Sequence, residues 1–346
     1  MADTMQALIW EAPRVMALRE KEIPQPQAEE VLVKVAFVGI CGSELSGYLG
    51  HNALRVPPLV MGHEFSGEIV ALGERALERN PALAVGQAVT ANPMVYCGTC
   101  EMCRAGLNHL CANRRLIGAH RPGAFAQYTT VPVWMVQPLP AGLGLREGAL
   151  SEPAACGVRT AAWAGATAGE TVLVMGAGAI GLLTLQSLRL AGAARVFIAD
   201  TDPQRLAAGA ALGGEPLDPR AQNVAKTVRE ATGGKGAAAA VDAVGKAVTR
   251  EQCISAVRAT GTVVLCGLHE ESSVVPVADV IRREITLRGS FCYTPADFSA
   301  AVGLLSGAKV ALDPWIVEAS LGEGGAWFER LCAENPGGVA KVLLRP

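Results

Sequence analysis

The stretch Val172-Leu-Val-Met-Gly-Ala-Gly-Ala-Ile-Gly181 decides the fold class of this chain. It starts as a short apolar run, as expected for a strand buried on both faces of a parallel sheet. Three glycines follow: Gly176 permits a tight turn, Gly178 lets the backbone approach a pyrophosphate, and Gly181 lets the next helix pack close to the strand. A leucine-rich segment and a second apolar run, residues 196–200, complete a βαβ start. We therefore predict an α/β fold with a doubly wound parallel sheet of the Rossmann type.

The glycine-rich turn also predicts a dinucleotide site. The free N–H groups and the positive dipole end of the next helix favour an anion there without a basic side chain. Asp200 lies nineteen residues past Gly181, where an acid that binds the ribose is expected. The predicted cofactor-binding residues of this segment are Gly176, Gly178, Ala179, Ile180, Gly181, Asp200 and Arg205. The alternative is a tight turn in an α/β core that binds no ligand.

Asp200 also predicts which cofactor is preferred. We expect NAD rather than NADP, because the carboxylate of Asp200 can accept hydrogen bonds from both ribose hydroxyls and repels a 2′-phosphate. Arg205, five residues further on, is able to face such a phosphate, so the sequence leaves this alternative open.

Composition limits the other classes of function. A chain of 346 residues suggests about two domains. Its 30 basic and 32 acidic residues are mixed, which argues against a nucleic-acid or membrane surface and favours a small-molecule partner. The start of the chain does not resemble a secretory signal, and no apolar run reaches membrane-spanning length. We expect a cytoplasmic protein, in which the ten cysteines serve metal binding, catalysis or packing rather than disulfides.

The first 95 residues indicate a β-rich domain with a candidate metal site. Short apolar or alternating runs, separated by Pro and Gly, predict strands at residues 7–10, 31–38, 66–72 and 88–91. Cys41, His63 and Glu64 offer a thiolate, an imidazole and a carboxylate, a set that suits zinc better than magnesium or calcium. Taken singly, the cysteine could equally be a small core residue, and the histidine and glutamate a hydrogen-bonded structural pair.

A second metal site is predicted in the loop that follows. Its four cysteines have the spacing C-x2-C-x2-C-x7-C, and four thiolates close a tetrahedral site that leaves no position for substrate. The site would therefore hold a long loop in one conformation. An iron–sulfur cluster is the alternative, but the last spacing is too long and the residue after the fourth cysteine is Ala112, where the cluster motif has Pro. The predicted ligands of this structural zinc are Cys97, Cys100, Cys103 and Cys111.

Taken in order, these motifs resemble those of the zinc-dependent medium-chain alcohol and polyol dehydrogenases. The resemblance rests on Cys41-Gly-Ser, the Gly-His-Glu of residues 62–64, the four-cysteine loop and the glycine fingerprint, and it covers nearly the whole chain. It implies a GroES-like β domain of residues 1–153 and 291–346, with a Rossmann domain of residues 154–290 inserted. It also implies two zinc ions per chain. Later landmarks of the resemblance add Val244, Leu268, Ser290 and Phe291 as candidate cofactor-binding residues.

Two details of the resemblance concern catalysis. Ser151-Glu152-Pro153 looks like the Glu-Pro of the sorbitol and polyol branch, which implies Glu152 as a ligand of the catalytic zinc beside Cys41, His63 and Glu64. The alternative for Glu152 is a helix N-terminal acid favoured by the helix dipole. Ser43 resembles the residue that takes the substrate proton. Relatives often have a histidine three residues later, where this chain has Ser46; His51 from the same loop either replaces it or is an exposed loop residue.

We therefore predict a zinc-dependent, NAD-linked oxidation of a secondary alcohol or polyol to its ketone. A zinc hydrolase with a nucleotide-binding domain and a non-enzymatic nucleotide sensor are the alternatives. Position alone suggests that Tyr48, Trp134, Phe291 and Tyr293 line the substrate pocket. Residues 285–291 look like the edge strand through which relatives pair, so a homodimer or homotetramer is expected.

Overall fold

The computed structural model describes residues 3–165, 168–333 and 337–346. In these segments no helix combines the length and the apolar character needed to cross a membrane. The N-terminal part consists mainly of short strands. They are β1 (Thr4–Ala12), β2 (Val15–Glu22), β3 (Glu30–Gly39), β4 (Leu59–Val60), β5 (Glu64–Leu72), β6 (Ala88–Ala91), β7 (Met94–Val95), β8 (Arg115–Leu116), β9 (Tyr128–Pro132) and β10 (Val136–Pro138). The helices between and after them are α1 (Gly42–Tyr48), α2 (Ala76–Arg79), α3 (Glu101–Arg104), α4 (Leu145–Gly148) and α5 (Ser151–Ala164).

Strands and helices then alternate, as the βαβ pattern predicts. The strands are β11 (Thr171–Met175), β12 (Arg195–Ala199), β13 (Glu215–Leu217), β14 (Ala237–Asp242), β15 (Val257–Leu265) and β16 (Thr286–Gly289). The helices are α6 (Ala179–Leu190), α7 (Pro203–Ala211), α8 (Val224–Ala231), α9 (Ala247–Ala256), α10 (Val277–Arg282) and α11 (Pro295–Ser306). Among the described residues the sheet is entirely parallel, in the order β13-β12-β11-β14-β15-β16. This is the doubly wound Rossmann order, so the predicted fold class is confirmed.

The C-terminal segment returns to the β-rich part of the molecule. It contains β17 (Ile316–Ser320), α12 (Gly324–Leu331) and β18 (Lys341–Arg345). Strand β18 pairs with β17 on one side and with β3 on the other, in a sheet ordered β10-β6-β5-β3-β18-β17 with β9 also bonded to β3. The end of the chain therefore completes the sheet that carries the candidate metal ligands.

The four strands predicted in the first 95 residues lie in β1, β3, β5 and β6. Strand β2 was not predicted, because its residues are mostly exposed, and its apolar first half followed by a polar second half shows no alternation. It is held by its antiparallel pairing with β1, a contact that local sequence does not reveal. Helices α5 and α11 pack against each other, and α5 also packs against α6. The predicted domain boundary after residue 153 lies within α5, and the one at residue 291 lies shortly before α11. The division into two domains stays a prediction.

Candidate active site and metal centres

The loop between β11 and α6 is shaped for close approach of a ligand. Gly176 has a φ of +97°, which favours glycine. At Gly181 an added Cβ would lie 1.8 Å from the Gly176 carbonyl oxygen, so no larger residue fits there. Beside Gly178, in contrast, the described residues leave open space within 4 Å of an added Cβ. Ala179 and Ile180 begin α6 directly after it. These features fit a dinucleotide phosphate placed at the helix N-terminus.

Asp200 follows β12 and turns its carboxylate toward this loop. Its Oδ2 accepts a hydrogen bond from the Ala177 amide at 2.7 Å, and its Oδ1 accepts one from the Asp202 amide at 2.9 Å. The acid is therefore held beside the glycine turn, where a ribose would follow the phosphates. Arg205 makes a different contact: its Nη2 donates to the Val339 carbonyl at 2.8 Å. Its guanidinium thus joins α7 to the C-terminal segment.

The other predicted cofactor residues lie along the same edge of the parallel sheet. Val244 packs against Gly176, with its Cγ2 2.7 Å from the position of an added Cβ. Leu268, which follows β15, is 83% exposed. Ser290 Oγ lies 3.4 Å from Thr160 Oγ1. The ring centre of Phe291 lies 5.2 Å from the guanidinium of Arg114, which follows the four-cysteine loop. The binding roles of these residues stay predictions.

The structure brings together Cys41, His63 and Glu64. One ligand atom of each lies within 4.8 Å of the other two. Cys41 immediately precedes α1, and His63 and Glu64 stand at the start of β5. Gly62 has a φ of +98° and leaves no room for a Cβ, which would lie 2.6 Å from the Phe125 amide nitrogen. A thiolate, an imidazole and a carboxylate at this spacing fit zinc.

Glu44 orients His63, a role that the sequence analysis did not assign. His63 Nδ1 lies 2.7 Å from Glu44 Oε1, and the Glu44 side chain is fully buried. Burial alone would lower the pKa of His63, but the charges of Glu44 and of the Cys41 thiolate outweigh it and hold that pKa well above its usual range. A carboxylate on Nδ1 leaves Nε2 as the ring nitrogen for a metal. One feature of the sequence could have indicated this role: Glu44 stands three residues after Cys41, at the start of a helix.

Lys341 forms a buried ion pair with Glu64, which was also not predicted. Its Nζ lies 2.8 Å from Oε1 and 2.6 Å from Oε2 of Glu64, and it also donates to the Ile40 carbonyl at 3.0 Å. The Lys341 and Glu64 side chains are only 4% and 1% exposed. Gly39 makes room for this carboxylate, because an added Cβ there would lie 2.2 Å from Glu64 Oε2. Both oxygens of Glu64 are therefore already hydrogen-bonded.

Glu152 lies in the first turn of α5 and is buried. It is not part of the close group formed by Cys41, His63 and Glu64, yet it is near enough to feel their charges. Burial raises the pKa of Glu152 to about 7; the positive charge of His63 opposes this increase and the negative charge of Glu64 adds to it. Tyr293 is fully buried beside it, and burial together with the Glu152 charge raises the tyrosine pKa well above its usual range. Glu152 thus lies in the first turn of α5, close enough to His63 and Glu64 for their charges to change its pKa.

Ser43 lies next to the same group. Its Oγ is 3.5 Å from Cys41 Sγ. It accepts a hydrogen bond from Arg55 Nη2 at 3.2 Å, a contact that the sequence did not suggest. His51, the alternative relay residue, has an exposed side chain in the loop after α1, and its backbone amide donates to the Ser46 carbonyl at 2.9 Å. The structure therefore brings Ser43, but not the His51 ring, into contact with a metal-ligand candidate.

The four-cysteine loop forms a second group. The sulfur atoms of Cys97, Cys100, Cys103 and Cys111 all lie within 4.8 Å of one another. The backbone amides of Thr99 and Cys100 donate to the Cys97 sulfur and lower its pKa to about 5, which favours a thiolate. All ten cysteines fall in described segments, and each is a free thiol. Four converging sulfurs fit a closed tetrahedral zinc site.

The predicted substrate-pocket residues have different outcomes. The prediction that Tyr48 lines the pocket is wrong: its ring centre lies 5.3 Å from that of Phe328 in the core of the β-rich part, and its hydroxyl contacts Glu329. Trp134 is 44% exposed and lies beneath the Arg79 guanidinium, 5.8 Å away. Phe291 lies near Arg114, and Tyr293 lies near Glu152.

Two family models match the chain. The model described as alcohol dehydrogenase GroES-like domain matches residues 27–141, and the model described as zinc-binding dehydrogenase matches residues 179–307. The chain is similar to an L-galactonate-5-dehydrogenase from Escherichia coli K12, with 34% identity over 90% of each chain. It is also similar to a sorbitol dehydrogenase from Halalkalibacterium halodurans, with 32% identity over 95% of each chain.

A solved structure extends this similarity to three dimensions. It is described as a zinc-binding dehydrogenase from Sinorhizobium meliloti 1021, bound to NADP, and it aligns with a TM-score of 0.92 and 32% identity over 99% of each chain. The alignment includes both the sheet that carries Cys41 and His63 and the sheet that carries Gly176. The two parts of the chain are thus combined here as they are in a dehydrogenase.

Proposed function

The chain belongs to the zinc-dependent medium-chain alcohol and polyol dehydrogenases, and from that membership we propose that its substrate is a polyol with adjacent hydroxyl groups. As a member of this family it is an NAD(P)-linked oxidoreductase that interconverts a secondary alcohol and its ketone. The observation that carries the polyol assignment is the second buried carboxylate, Glu152, which faces Cys41, His63 and Glu64. Carboxylate oxygens exchange with substrate hydroxyls more readily than thiolates do.

We assign the residues as follows. Cys41 and His63 hold the catalytic zinc, with Glu64 and Glu152 as carboxylate ligands that are able to leave or join. Glu44 fixes the His63 ring through its 2.7 Å contact with Nδ1. The sulfurs of the four-cysteine loop hold a structural zinc.

Zinc and NAD would supply one part of the chemistry at this site, and side chains of the protein supply the other part. Zinc, when bound, supplies a Lewis acid that lowers the pKa of the substrate hydroxyl, and NAD, when bound, accepts the hydride. Ser43 takes the hydroxyl proton. Lys341 holds Glu64 with both carboxylate oxygens engaged until a polyol or the metal competes for them. His51 lies in the loop after α1 and is proposed as the next proton carrier toward solvent.

We propose NAD as the preferred cofactor. Support comes from the Asp200 carboxylate, which the amides of Ala177 and Asp202 hold beside the glycine turn. The contact of Arg205 with the Val339 carbonyl also favours NAD, because it engages the guanidinium away from a 2′-phosphate. Gly176, Gly178, Ala179, Ile180 and Gly181 would hold the pyrophosphate, and Val244, Leu268, Ser290 and Phe291 the nicotinamide half.

A homodimer or homotetramer is proposed, in which two copies pair through β16. This strand is the edge of the parallel sheet and every residue in it is exposed. Apolar side chains surround it: Leu287 is 38% exposed, Phe291 41%, Val277 57% and Ile281 68%. A second copy pairing edge to edge would cover both the open strand and this apolar surface. Light scattering of Leu287→Lys should give a monomer where the wild type gives a dimer or tetramer. We also propose the division into a domain of residues 1–153 with 291–346 and a domain of residues 154–290, and a cytoplasmic location.

The function is tested by absorbance at 340 nm. Purified zinc-loaded protein is mixed with NAD or NADP and with a panel of sugar alcohols, 1,2-diols, isopropanol and ethanol. We expect reduction of NAD with sugar alcohols and diols at the highest rates. Hydrolysis of esters without any change at 340 nm would instead support the hydrolase alternative, and cofactor binding without turnover would support the sensor.

A further inference from the structure

We propose that Arg55 is a positioning residue for this reaction: its guanidinium holds the Ser43 hydroxyl beside Cys41, with one oxygen lone pair left to accept the hydrogen bond of the substrate hydroxyl. The inference rests on the proposed function, since it assumes that Ser43 handles the substrate proton. Arg55 lies in the loop between α1 and β4, and it was not singled out by the sequence.

The guanidinium of Arg55 holds Ser43 at two points. Its Nη1 donates to the Ser43 carbonyl at 3.1 Å, and its Nη2 donates to the Ser43 Oγ at 3.2 Å. The side chain reaches Ser43 across α1 at Gly47, where an added Cβ would lie 2.8 Å from Arg55 Cδ. A glycine at position 47 is therefore what lets the arginine pass.

Arg55 is a buried cation without an ion-pair partner. The residue is only 3% exposed, and in the described segments no carboxylate oxygen comes within 4.0 Å of its guanidinium. Its Nε also lacks a hydrogen-bond partner in those segments. A buried charge costs free energy unless it is compensated, and the Glu44 carboxylate, whose pKa the charges of His63 and Arg55 lower against the effect of burial, offsets part of this cost. The contact with Ser43 gives the charge a role, because it acts on a hydroxyl that lies 3.5 Å from Cys41 Sγ.

The direction of the hydrogen bond follows from the chemistry of the two groups. A guanidinium can only donate, so the Ser43 oxygen must accept from Arg55. The Ser43 hydroxyl donates its hydrogen to Cys41 Sγ, 3.5 Å away, so the second lone pair of the Ser43 oxygen is left to accept from the substrate hydroxyl. Arg55 itself stays protonated and cannot carry the proton onward.

A double-mutant cycle tests this role. We expect Arg55→Met to lower kcat by at least about tenfold, the loss expected for a hydrogen bond to a charged group, with an unchanged KM for NAD. Ser43→Ala should lower kcat at least as much, and adding Arg55→Met to it should cause no further loss. Arg55→Lys should recover part of the rate. Independent, multiplying effects of the two substitutions would overturn the proposal.

Arg121 supplies the matched control. Its Nη2 also contacts both the carbonyl and the hydroxyl of one residue, Thr130, at 3.3 Å and 2.7 Å, but Thr130 has no part in the proposed reaction. Arg121→Met should lower the melting temperature and leave kcat within about twofold of the wild type, because neither residue is assigned a contact with the reacting groups. If it lowered kcat as much as Arg55→Met does, the effect at Arg55 would be one of stability alone.

A readout without turnover separates this proposal from the proposed function. High-resolution crystal structures of the zinc-loaded proteins should show one Ser43 rotamer in the wild type and several in Arg55→Met. Arg55→Gln is the second variant if Arg55→Met does not fold. One unchanged rotamer in the variant would overturn the positioning role. If the wild type oxidised no polyol but the rotamer changed as expected, the proposed function would fail while the Arg55 contact stood.

Discussion

Lys341 Nζ lies 2.8 Å and 2.6 Å from the two carboxylate oxygens of Glu64, and both side chains are almost completely buried. The pair joins the last strand of the chain to the metal-ligand motif at the start of β5. The charge of Glu64 outweighs the effect of burial and raises the pKa of Lys341. Glu64 therefore has two competing cations, the lysine and a metal.

Removing the lysine should affect the protein most when no metal is bound. We expect Lys341→Met to lower the free energy of unfolding of zinc-depleted protein by about 3 kcal/mol, because it leaves the Glu64 charge buried and unpaired. Zinc should reduce this loss, since the free carboxylate can then bind the metal. Urea unfolding with and without zinc measures both values. The double variant Lys341→Met with Glu64→Gln should recover stability, and equal losses with and without zinc would contradict the competition.

The four-cysteine loop should carry its own metal. Cys100→Ser should reduce the zinc content from about two to about one per chain and lower the melting temperature, because the closed site holds the loop in one conformation. His63→Ala should remove the other zinc and abolish turnover while the fold is kept. Elemental analysis and circular dichroism measure these effects. Iron with labile sulfide in the purified protein would rule out the structural zinc.

Asp200 should determine the choice of cofactor. We expect kcat/KM for NAD to exceed that for NADP by at least about tenfold, because a 2′-phosphate beside this carboxylate is repelled. Asp200→Ser should reduce the difference. Arg205→Ala is the control: since its guanidinium contacts the Val339 carbonyl, it should change stability more than cofactor preference. Similar kcat/KM values for both cofactors in the wild type would mean that Asp200 does not face the ribose.

Sequence predicted those parts of the site whose chemistry is local. Cys41, His63 and the four cysteines stand in short motifs with fixed spacing, and the glycine fingerprint directly indicates the turn between β11 and α6. Lys341 was missed because its partner lies 277 residues away and only the return of β18 to β3 brings them together. Arg55 was missed for a related reason. A single arginine in a loop carries no pattern, and its contact with Ser43 depends on the space left by Gly47.

Burial of Glu152 has a consequence for the pH dependence of stability. Its folded pKa of about 7 lies above the ordinary glutamate pKa of 4.5, so the folded state holds this proton more tightly than the unfolded state does. In zinc-depleted protein this stabilisation is fully present below about pH 4.5 and is lost as the pH rises toward 7, a change of about 3 kcal/mol. The Glu152→Gln variant has no titratable group at this position, so its stability lacks this dependence on pH. The difference in unfolding free energy between wild type and variant should follow this window, and a constant difference from pH 4.5 to 8 would contradict it.

With zinc bound, the same residue should determine the substrate preference. A site with Cys41, His63 and two carboxylates offers oxygens that exchange readily, so a polyol can use two hydroxyls as Glu64 or Glu152 moves away, whereas a simple alcohol has only one. We expect 1,2-diols and sugar alcohols to exceed ethanol in kcat/KM by at least about tenfold, or roughly 1.4 kcal/mol of transition-state stabilisation. Glu152→Gln should reduce this ratio before it removes the metal, which zinc analysis of the same sample verifies. Equal rates with ethanol, isopropanol and the best polyol, or a variant with an unchanged ratio, would make Glu152 a helix-terminal acid and the polyol assignment wrong.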